Sequence, residues 1–337
     1  MHSLPYPLGR ATLPVIGAPL FIISNPDLVI AQCRAGIIGA FPALNARPAS
    51  LLDEWLARLT EELRDSPGSA PFAVNQIVHR TNARLERDLG LCVKYRVPVV
   101  ITSLGARQDV NQAVHGYGGL VLHDVISDRF ARKAIEKGAD GLIAVAAGAG
   151  GHAGTLSPFA FVQELRSWWA GPIALSGAIA TGAGILAARV IGADFAYIGS
   201  AFIATDEANA HPEYKQMIID SRADDIIYSN LFTGVHGNYL RPSILRAGLD
   251  PDKLPESDPS AMNFTEQGEG SNSKPWRDIW GAGQGIGAVT RVQPAATLID
   301  RMRDEYHAAL ERVVATVASA SSGPAALMSA PRGAVAH

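Results

Sequence analysis

The sequence predicts an α/β fold, a (β/α)8 (TIM) barrel with a smaller, mainly helical lid subdomain. Short apolar runs alternate with amphipathic stretches along most of the chain, as in folds built on a parallel sheet. The apolar runs are continuous rather than alternating in polarity, which is typical of strands covered on both faces. Eight such units occur between residues 14 and 201, a number that favours a closed barrel over an open sheet.

The strands and helices of this barrel can be assigned in chain order from the apolar pattern. The predicted strands are residues 14–20, 36–41, 72–78, 97–103, 119–125, 141–147, 172–177 and 195–201. The predicted helices are clearest at residues 50–63, 83–95, 127–138 and 182–192, where apolar residues recur with helical spacing.

The pattern changes after residue 205. Residues 209–232 are typical of helix and turn, and the polar stretch 250–275, rich in Pro, Gly and Ser, predicts a long loop. Residues 294–318 predict a closing helix, and the low complexity of residues 319–337 predicts a disordered tail. The predicted organisation is a barrel over 10–205 and 276–318, a lid and long loop over 206–275, and a tail over 319–337.

The composition is that of a globular protein, with 47% hydrophobic and 18% charged residues and a net charge of −3. A nucleic-acid partner is not expected, because no basic stripe is visible. Cys33 and Cys92 form no C-x-x-C pattern, so we expect no disulfide framework and a cytoplasmic location. Strand–turn–helix punctuation inside the apolar stretch 171–205 argues against a membrane segment. The sequence leaves open whether the chain forms a homodimer.

A single histidine, His152, lies in the glycine-rich stretch "AAGAGGHAGTLSP" (146–158). Glycine permits unusual backbone angles and lets a ligand approach the backbone closely. The letters "GAGGHA" (148–153) also fit the G-x-G-x-x-G/A fingerprint of dinucleotide-binding folds. That fingerprint requires an acidic residue near the end of the next strand, and residues 172–177 lack one. The motif also follows the sixth strand rather than the first, so we favour a barrel loop.

Active sites of such barrels lie at the carboxyl ends of the strands, and the loops after strands seven and eight often bind phosphate. Several predicted strands end in small or polar residues at this edge. These strand-end positions are Asn75, His123, His152, Ser176–Ala178 and Gly199–Ala201.

The ordered set of motifs resembles the nitronate monooxygenase family, also called 2-nitropropane dioxygenase-like proteins, over roughly residues 12–290. The motifs are "APL" (18–20), "VN" (74–75), "GAGGHAG" (148–154), "SGAIATG" (176–182) and "IGSAFIAT" (198–205). The resemblance implies an FMN-containing barrel with a substrate lid. It implies oxidation of alkyl nitronates by dioxygen to a carbonyl compound and nitrite, by way of a flavin semiquinone. A nitronate or nitroalkane and dioxygen would be the small-molecule partners.

The resemblance also implies roles for individual residues. His152 would be the catalytic residue facing the substrate: neutral, it could take a proton from a nitroalkane carbon, and protonated, it could stabilise a nitronate anion. The implied cofactor-binding residues are Ala18, Pro19, Leu20, Asn75, His123, Gly150, Gly151, Ser176, Gly177, Ala178, Gly199, Ser200 and Gln284. No histidine shows metal-binding spacing, so we predict no metal.

The sequence departs from the family pattern at three positions. Leu20 stands where many members have Met, Ala178 where many have Gly, and Asp124 where some have Lys. An aspartate beside a flavin would not favour negative charge there.

Two other functions remain open at this point. One is an NAD(P)H-dependent FMN reductase of the quinone or enoyl reductase type, because these enzymes share a similar "AGGH" loop. The other is a non-catalytic flavin- or partner-binding barrel. The physiological substrate is open as well.

Overall fold

The computed structural model describes residues 4–66, 68–257 and 279–321. Eight parallel strands form one sheet: β1 (Val15–Gly17), β2 (Gly39–Pro42), β3 (Phe72–Ile77), β4 (Val99–Ser103), β5 (Leu120–Val125), β6 (Gly141–Val145), β8 (Ile173–Ser176) and β9 (Phe195–Ile198). The short strand β7 (Gly151–His152) lies outside this sheet. Each of the eight strands overlaps one of the segments predicted from the apolar pattern.

The sheet closes on itself into a barrel. Its strand order is β1-β9-β8-β6-β5-β4-β3-β2, and β1 also meets β2. A parallel bridge joins Ile16 to Ile38, with hydrogen bonds from Gly17 N to Ile38 O (2.8 Å) and from Ile38 N to Val15 O (3.1 Å). The predicted (β/α)8 barrel is confirmed.

Helices follow the strands and cover the outside of the barrel. They are α1 (Pro26–Arg34), α2 (Leu51–Arg64), α3 (Leu85–Lys94), α4 (Gln108–His115), α5 (Asp128–Glu136), α6 (Pro158–Arg166), α7 (Gly182–Val190) and the single turn α8 (Ser200–Ile203). Side-chain caps mark the beginning of two of these helices. The Asn25 side chain accepts a hydrogen bond from Leu28 N at the start of α1, and the Thr181 side chain accepts one from Gly184 N at the start of α7. Within the described residues, no helix is long and apolar enough to cross a membrane.

The inside of the barrel changes character along its axis. Its lower part is filled by buried apolar side chains such as Ile16, Ile101 and Ile143. Successive strand residues point to opposite faces, so the next inward-facing position lies two residues on. At the carboxyl ends of β3, β4 and β5 the inward-facing residues are polar. They form the floor of a cavity rather than more core.

The chain after the barrel forms α9 (Pro212–Asp220), β10 (Ile226–Ser229), β11 (Gly237–Leu240) and α10 (Arg241–Arg246). The final helix, α11 (Ala295–Ser321), then packs against α7. The prediction of helix and turn over residues 209–232 was wrong for 226–229. That segment is a strand, since its backbone pairs antiparallel with β11, which in turn pairs with β7.

Two sequence predictions fall largely outside the described residues. Most of the predicted loop 250–275 and nearly all of the predicted tail 319–337 belong to parts of the chain that the structure does not describe.

Candidate active site

A cavity of about 1190 Å³ lies at the carboxyl ends of the barrel strands, between the barrel and the segment that contains α9 and α10. The predicted site residues on its wall are Ala18, Pro19, Leu20, Asn75, His123, Gly150, Gly151, His152, Ser176, Gly177, Ala178, Gly199 and Ser200. Gln284 is not on that wall; its backbone N donates to Gly148 O (2.9 Å), and its neighbours Gly283 and Gly285 line the cavity instead.

The glycines before His152 have distinct structural reasons. A Cβ on Gly150 would lie 2.8 Å from both Gly283 N and Ser200 Oγ, so only glycine lets these three segments meet. Gly151 has φ +67° and nothing within 4 Å of an added Cβ, so it borders open cavity. Glycine at 150 therefore serves packing, whereas glycine at 151 serves a left-handed backbone turn that presents His152.

The loops after β8 and β9 form the wall that sequence analysis predicted for a phosphate. Gly177 has φ +141°, and a Cβ there would lie 2.7 Å from Ala147 O. Ala178 adopts φ +54°, a left-handed conformation that costs a residue with a Cβ about 1 kcal/mol. This explains why glycine suits the position better. Ser200 Oγ accepts a hydrogen bond from Gly283 N at 2.8 Å, which ties the two loops to the late glycine segment.

His152 is held by strand β7, where it pairs with Gly237 of β11. Its Nε2 lies 3.1 Å from the Thr233 hydroxyl, and that hydroxyl donates its own hydrogen to Val235 O at 2.8 Å. When that hydrogen lies on Val235 O, the Thr233 oxygen can accept from Nε2–H, and Nδ1 is then the unprotonated nitrogen of a neutral ring. Burial lowers the pKa of His152 to about 4, so the ring is neutral at physiological pH.

His123 has a different environment from the other predicted site residues. Its Nδ1 lies 2.6 Å from the Thr102 hydroxyl, and its side chain is 5% exposed. His123 and Asp124 are consecutive in β5, so their side chains point to opposite faces of the sheet. Asp124 shares the inner face with Ser103, which places the His123 ring on the outer face. Burial lowers its pKa to about 4.

Asn75 lies on the inner face of β3, 5% exposed, and borders the cavity. Its Nδ2 donates to Ser103 Oγ at 2.7 Å and to Ile101 O at 3.2 Å. These bonds fix the orientation of the amide group. Sequence analysis did not single out Ser103, because a serine at the end of an apolar strand carries no motif of its own.

The opposite wall comes from residues 206–257, the lid segment, and from Trp280. Tyr214 of α9 stacks on Trp280 with ring centroids 4.7 Å apart, and the Arg246 guanidinium lies 3.8 Å from the Trp280 ring centroid. Glu213 pairs with Arg246 at 3.2 Å, and His211 also borders the cavity. These residues come from separate elements, so no local pattern in the sequence relates them.

Comparison with known families agrees with this architecture. The family model described as "Nitronate monooxygenase" matches residues 40–305. The chain belongs to the nitronate monooxygenase family. Members of this family are oxidoreductases that use a flavin, and the chain is an enzyme of that kind. A curated relative is the nitronate monooxygenase of Paraburkholderia phytofirmans, 26% identical over 362 residues, covering 91% of this chain and 96% of the relative.

Two solved structures share the fold. The nitroalkane oxidase of Streptomyces ansochromogenes has a TM-score of 0.74 and 24% identity, covering 90% of this chain and 98% of that chain. FabK of Thermotoga maritima has a TM-score of 0.71 and 22% identity, covering 91% and 96%. At these identities the two structures support the barrel architecture of the family member described here.

Proposed function

We propose that this protein binds FMN in the cavity and oxidises alkyl nitronates with dioxygen to a carbonyl compound and nitrite. Two nitronate anions and one dioxygen balance two carbonyl molecules and two nitrite ions. The observation that carries the proposal is the neutral imidazole of His152 on the wall of a cavity that the glycine-rich loops after β8 and β9 also line. A base beside space for a flavin and an organic substrate supports this reaction.

The cavity fits a flavin mononucleotide by several criteria. Its volume of about 1190 Å³ exceeds that of a typical single-ligand pocket, roughly 300–1,000 Å³, so it has room for a cofactor and a substrate together. Gly177, Gly199 and Ser200 would hold the phosphate with backbone N–H groups, and Asn75 would bond the ring. Ala178 would line the phosphate site without donating to it, because its N–H already donates to Gly148 O at 3.2 Å. The flavin, when bound, would supply the electron-transfer chemistry.

His152 would move a proton from a neutral nitroalkane. With Nε2–H held by Thr233, Nδ1 is the atom that can accept the proton of the carbon next to the nitro group. A preformed nitronate has already lost that proton. His152 is therefore needed for nitroalkanes much more than for nitronates.

The test uses purified protein loaded with FMN, assayed for nitrite with a nitroalkane and with the nitronate prepared from it. We expect His152→Ala to retain FMN and to lose about 10²- to 10⁴-fold in kcat/KM for the nitroalkane, with a much smaller loss for the nitronate. His115→Ala is the matched control, because His115 pairs with Asp140 outside the cavity. Absence of FMN binding, or absence of nitrite from nitronate, would contradict the proposal.

The size of the cavity also favours testing an NAD(P)H-dependent FMN reductase as the second candidate. In the absence of oxygen, addition of NAD(P)H should leave the flavin oxidised if the nitronate proposal is right. Rapid bleaching of the flavin by NAD(P)H without response to nitronate would assign the reductase function instead.

A further inference from the structure

A short hydrogen-bonded chain of side chains forms part of the cavity floor. Asn75 Nδ2 donates to Ser103 Oγ at 2.7 Å, and Ser103 Oγ donates to Asp124 Oδ2 at 2.5 Å. The three residues come from the ends of β3, β4 and β5, and all three border the cavity. The chain therefore links the amide proposed to bond the flavin to a carboxyl group.

Only one of the two carboxyl oxygens of Asp124 has a hydrogen-bond partner among the described residues. Its Oδ1 is buried and has no hydrogen-bond partner among the described residues, and no ion pair to it occurs in that part of the chain. Burial raises its pKa to about 6, with the Ser103 hydrogen bond acting in the opposite direction. A buried carboxylate without a cation is costly, so any further negative charge nearby will drive it to take up a proton.

Other titratable groups border the cavity, and in the described part of the chain none of them forms an ion pair with Asp124. They are His79, His123, Lys133, His152 and Tyr197 from the barrel, and His211, Glu213, Tyr214 and Arg246 from the opposite wall. Burial, and after it the charge of Asp124, raises the pKa of Tyr197 of β9, so this phenol is neutral and does not offset the carboxylate charge. The Lys133 ammonium of α5 makes no ion pair with Asp124 within the described residues. His152 and His123 are neutral, as described above.

We propose that Asp124 takes up one proton when the flavin bound in the cavity is reduced. This inference rests on the proposed function, because it requires FMN in the cavity. The electrons come from the nitronate in turnover, or from a chemical reductant in an assay. The proton comes from water; one O–H bond forms on the carboxylate, and no bond in the protein breaks. The protein would thereby compensate the negative charge of reduced flavin at a site that holds no paired cation.

The experiment measures the midpoint potential of bound FMN between pH 5 and pH 8, by slow equilibration with a reference dye. The slope of the midpoint potential against pH gives the number of protons that the protein and flavin take up together with two electrons. Below pH 6 we expect wild type and Asp124→Asn to take up the same number. Above pH 6 we expect wild type to take up one proton more, and Asp124→Asn to have the higher potential.

Two further variants make the result specific. Ser103→Ala removes the hydrogen bond that holds the Asp124 pKa down, so the extra proton uptake should begin at a higher pH than in wild type. Asp65→Asn, an exposed aspartate at the end of α2, is the matched control and should follow wild type. A direct readout is the infrared band of a protonated carboxyl group, which should appear on flavin reduction at pH 7 in wild type and be missing in Asp124→Asn.

The outcomes separate the two proposals. Equal proton uptake in wild type and Asp124→Asn, with FMN bound and nitrite formed, overturns the inference and leaves the proposed function intact. A protein that does not bind FMN overturns both. An infrared band that survives in Asp124→Asn assigns the proton to another group and overturns the inference.

Discussion

At the scale of single residues, His152 depends on a neighbour distant in sequence. Thr233 can accept from Nε2–H when its own hydrogen lies on Val235 O. In that arrangement Nδ1 is the ring nitrogen that can act as a base. The neutral ring supports the base role that we considered from the sequence, since burial holds its pKa at about 4. The alternative role, a cation that stabilises a nitronate, would require a large rise of that pKa on substrate binding.

Replacement of Thr233 by Val should therefore lower kcat/KM for a nitroalkane about 10-fold or more, a part of what a general base contributes. Activity with a preformed nitronate should fall much less, and the acidic limb of the pH profile should move. Thr233→Ser keeps the hydroxyl and should restore both. Equal losses for nitroalkane and nitronate would point to a structural role for Thr233 instead.

At the scale of elements, the small sheet β10-β11-β7 joins the lid segment to the loop that contains His152. Its two pairs to β7 are Gly237 with His152 and Asn238 with Gly151. A Cβ on Gly237 would lie 2.8 Å from Gly151 O, so the two strands approach as closely as glycine allows. The position of His152 is therefore coupled to the fold of the lid segment.

Substitution of Gly237 by Ala should push β11 away from β7. We expect a loss of about 1–3 kcal/mol in the free energy of unfolding together with a fall in kcat for nitroalkanes. Gly90→Ala is the matched control, because an added Cβ in the middle of α3 has nothing within 4 Å. It should raise stability by roughly 0.5–1 kcal/mol. Denaturant unfolding measures the expected loss for Gly237→Ala and the expected gain for Gly90→Ala. A Gly237→Ala protein with unchanged stability and kcat would contradict the coupling.

At the scale of the whole molecule, β5 carries a buried histidine and a half-buried aspartate whose titrations oppose each other. The pKa of His123 falls from 6.5 to about 4, so the unfolded chain binds the extra proton and stability decreases as the pH falls through this window. The pKa of Asp124 rises from 3.8 to about 6, so the folded chain binds the extra proton and stability increases as the pH falls through nearly the same window. The two contributions partly cancel between pH 4 and pH 6.

Single substitutions should expose this cancellation. Between pH 7 and pH 4, the free energy of unfolding of His123→Gln should fall by about 3 kcal/mol less than that of wild type. Asp124→Asn should lose more stability than wild type over the same interval. Urea unfolding at a series of pH values measures both, and parallel curves for the three proteins would contradict the assignment of these groups.

Sequence patterns were sufficient to predict the barrel and the strand-end residues on one side of the cavity. Continuous apolar strands record burial on both faces, and the carboxyl ends of parallel strands must meet at one edge, so Asn75, His152 and the glycines after strands seven and eight were predictable as neighbours. The local sequence pattern is sufficient here because every strand of the barrel brings the residues at its carboxyl end to the same edge.

The remaining features of the site depend on tertiary contacts that the sequence does not reveal. The outward direction of His123, the orientation of His152 by Thr233 and the lid wall built on Trp280 depend on which face a strand residue takes and on contacts between distant segments. Strand β10 was missed because its partner, β11, lies eight residues further on and pairs in turn with the loop that contains His152. The half-satisfied carboxyl of Asp124 is of the same kind: its residue type is visible in the sequence, but its burial without a paired cation is a property of the closed barrel.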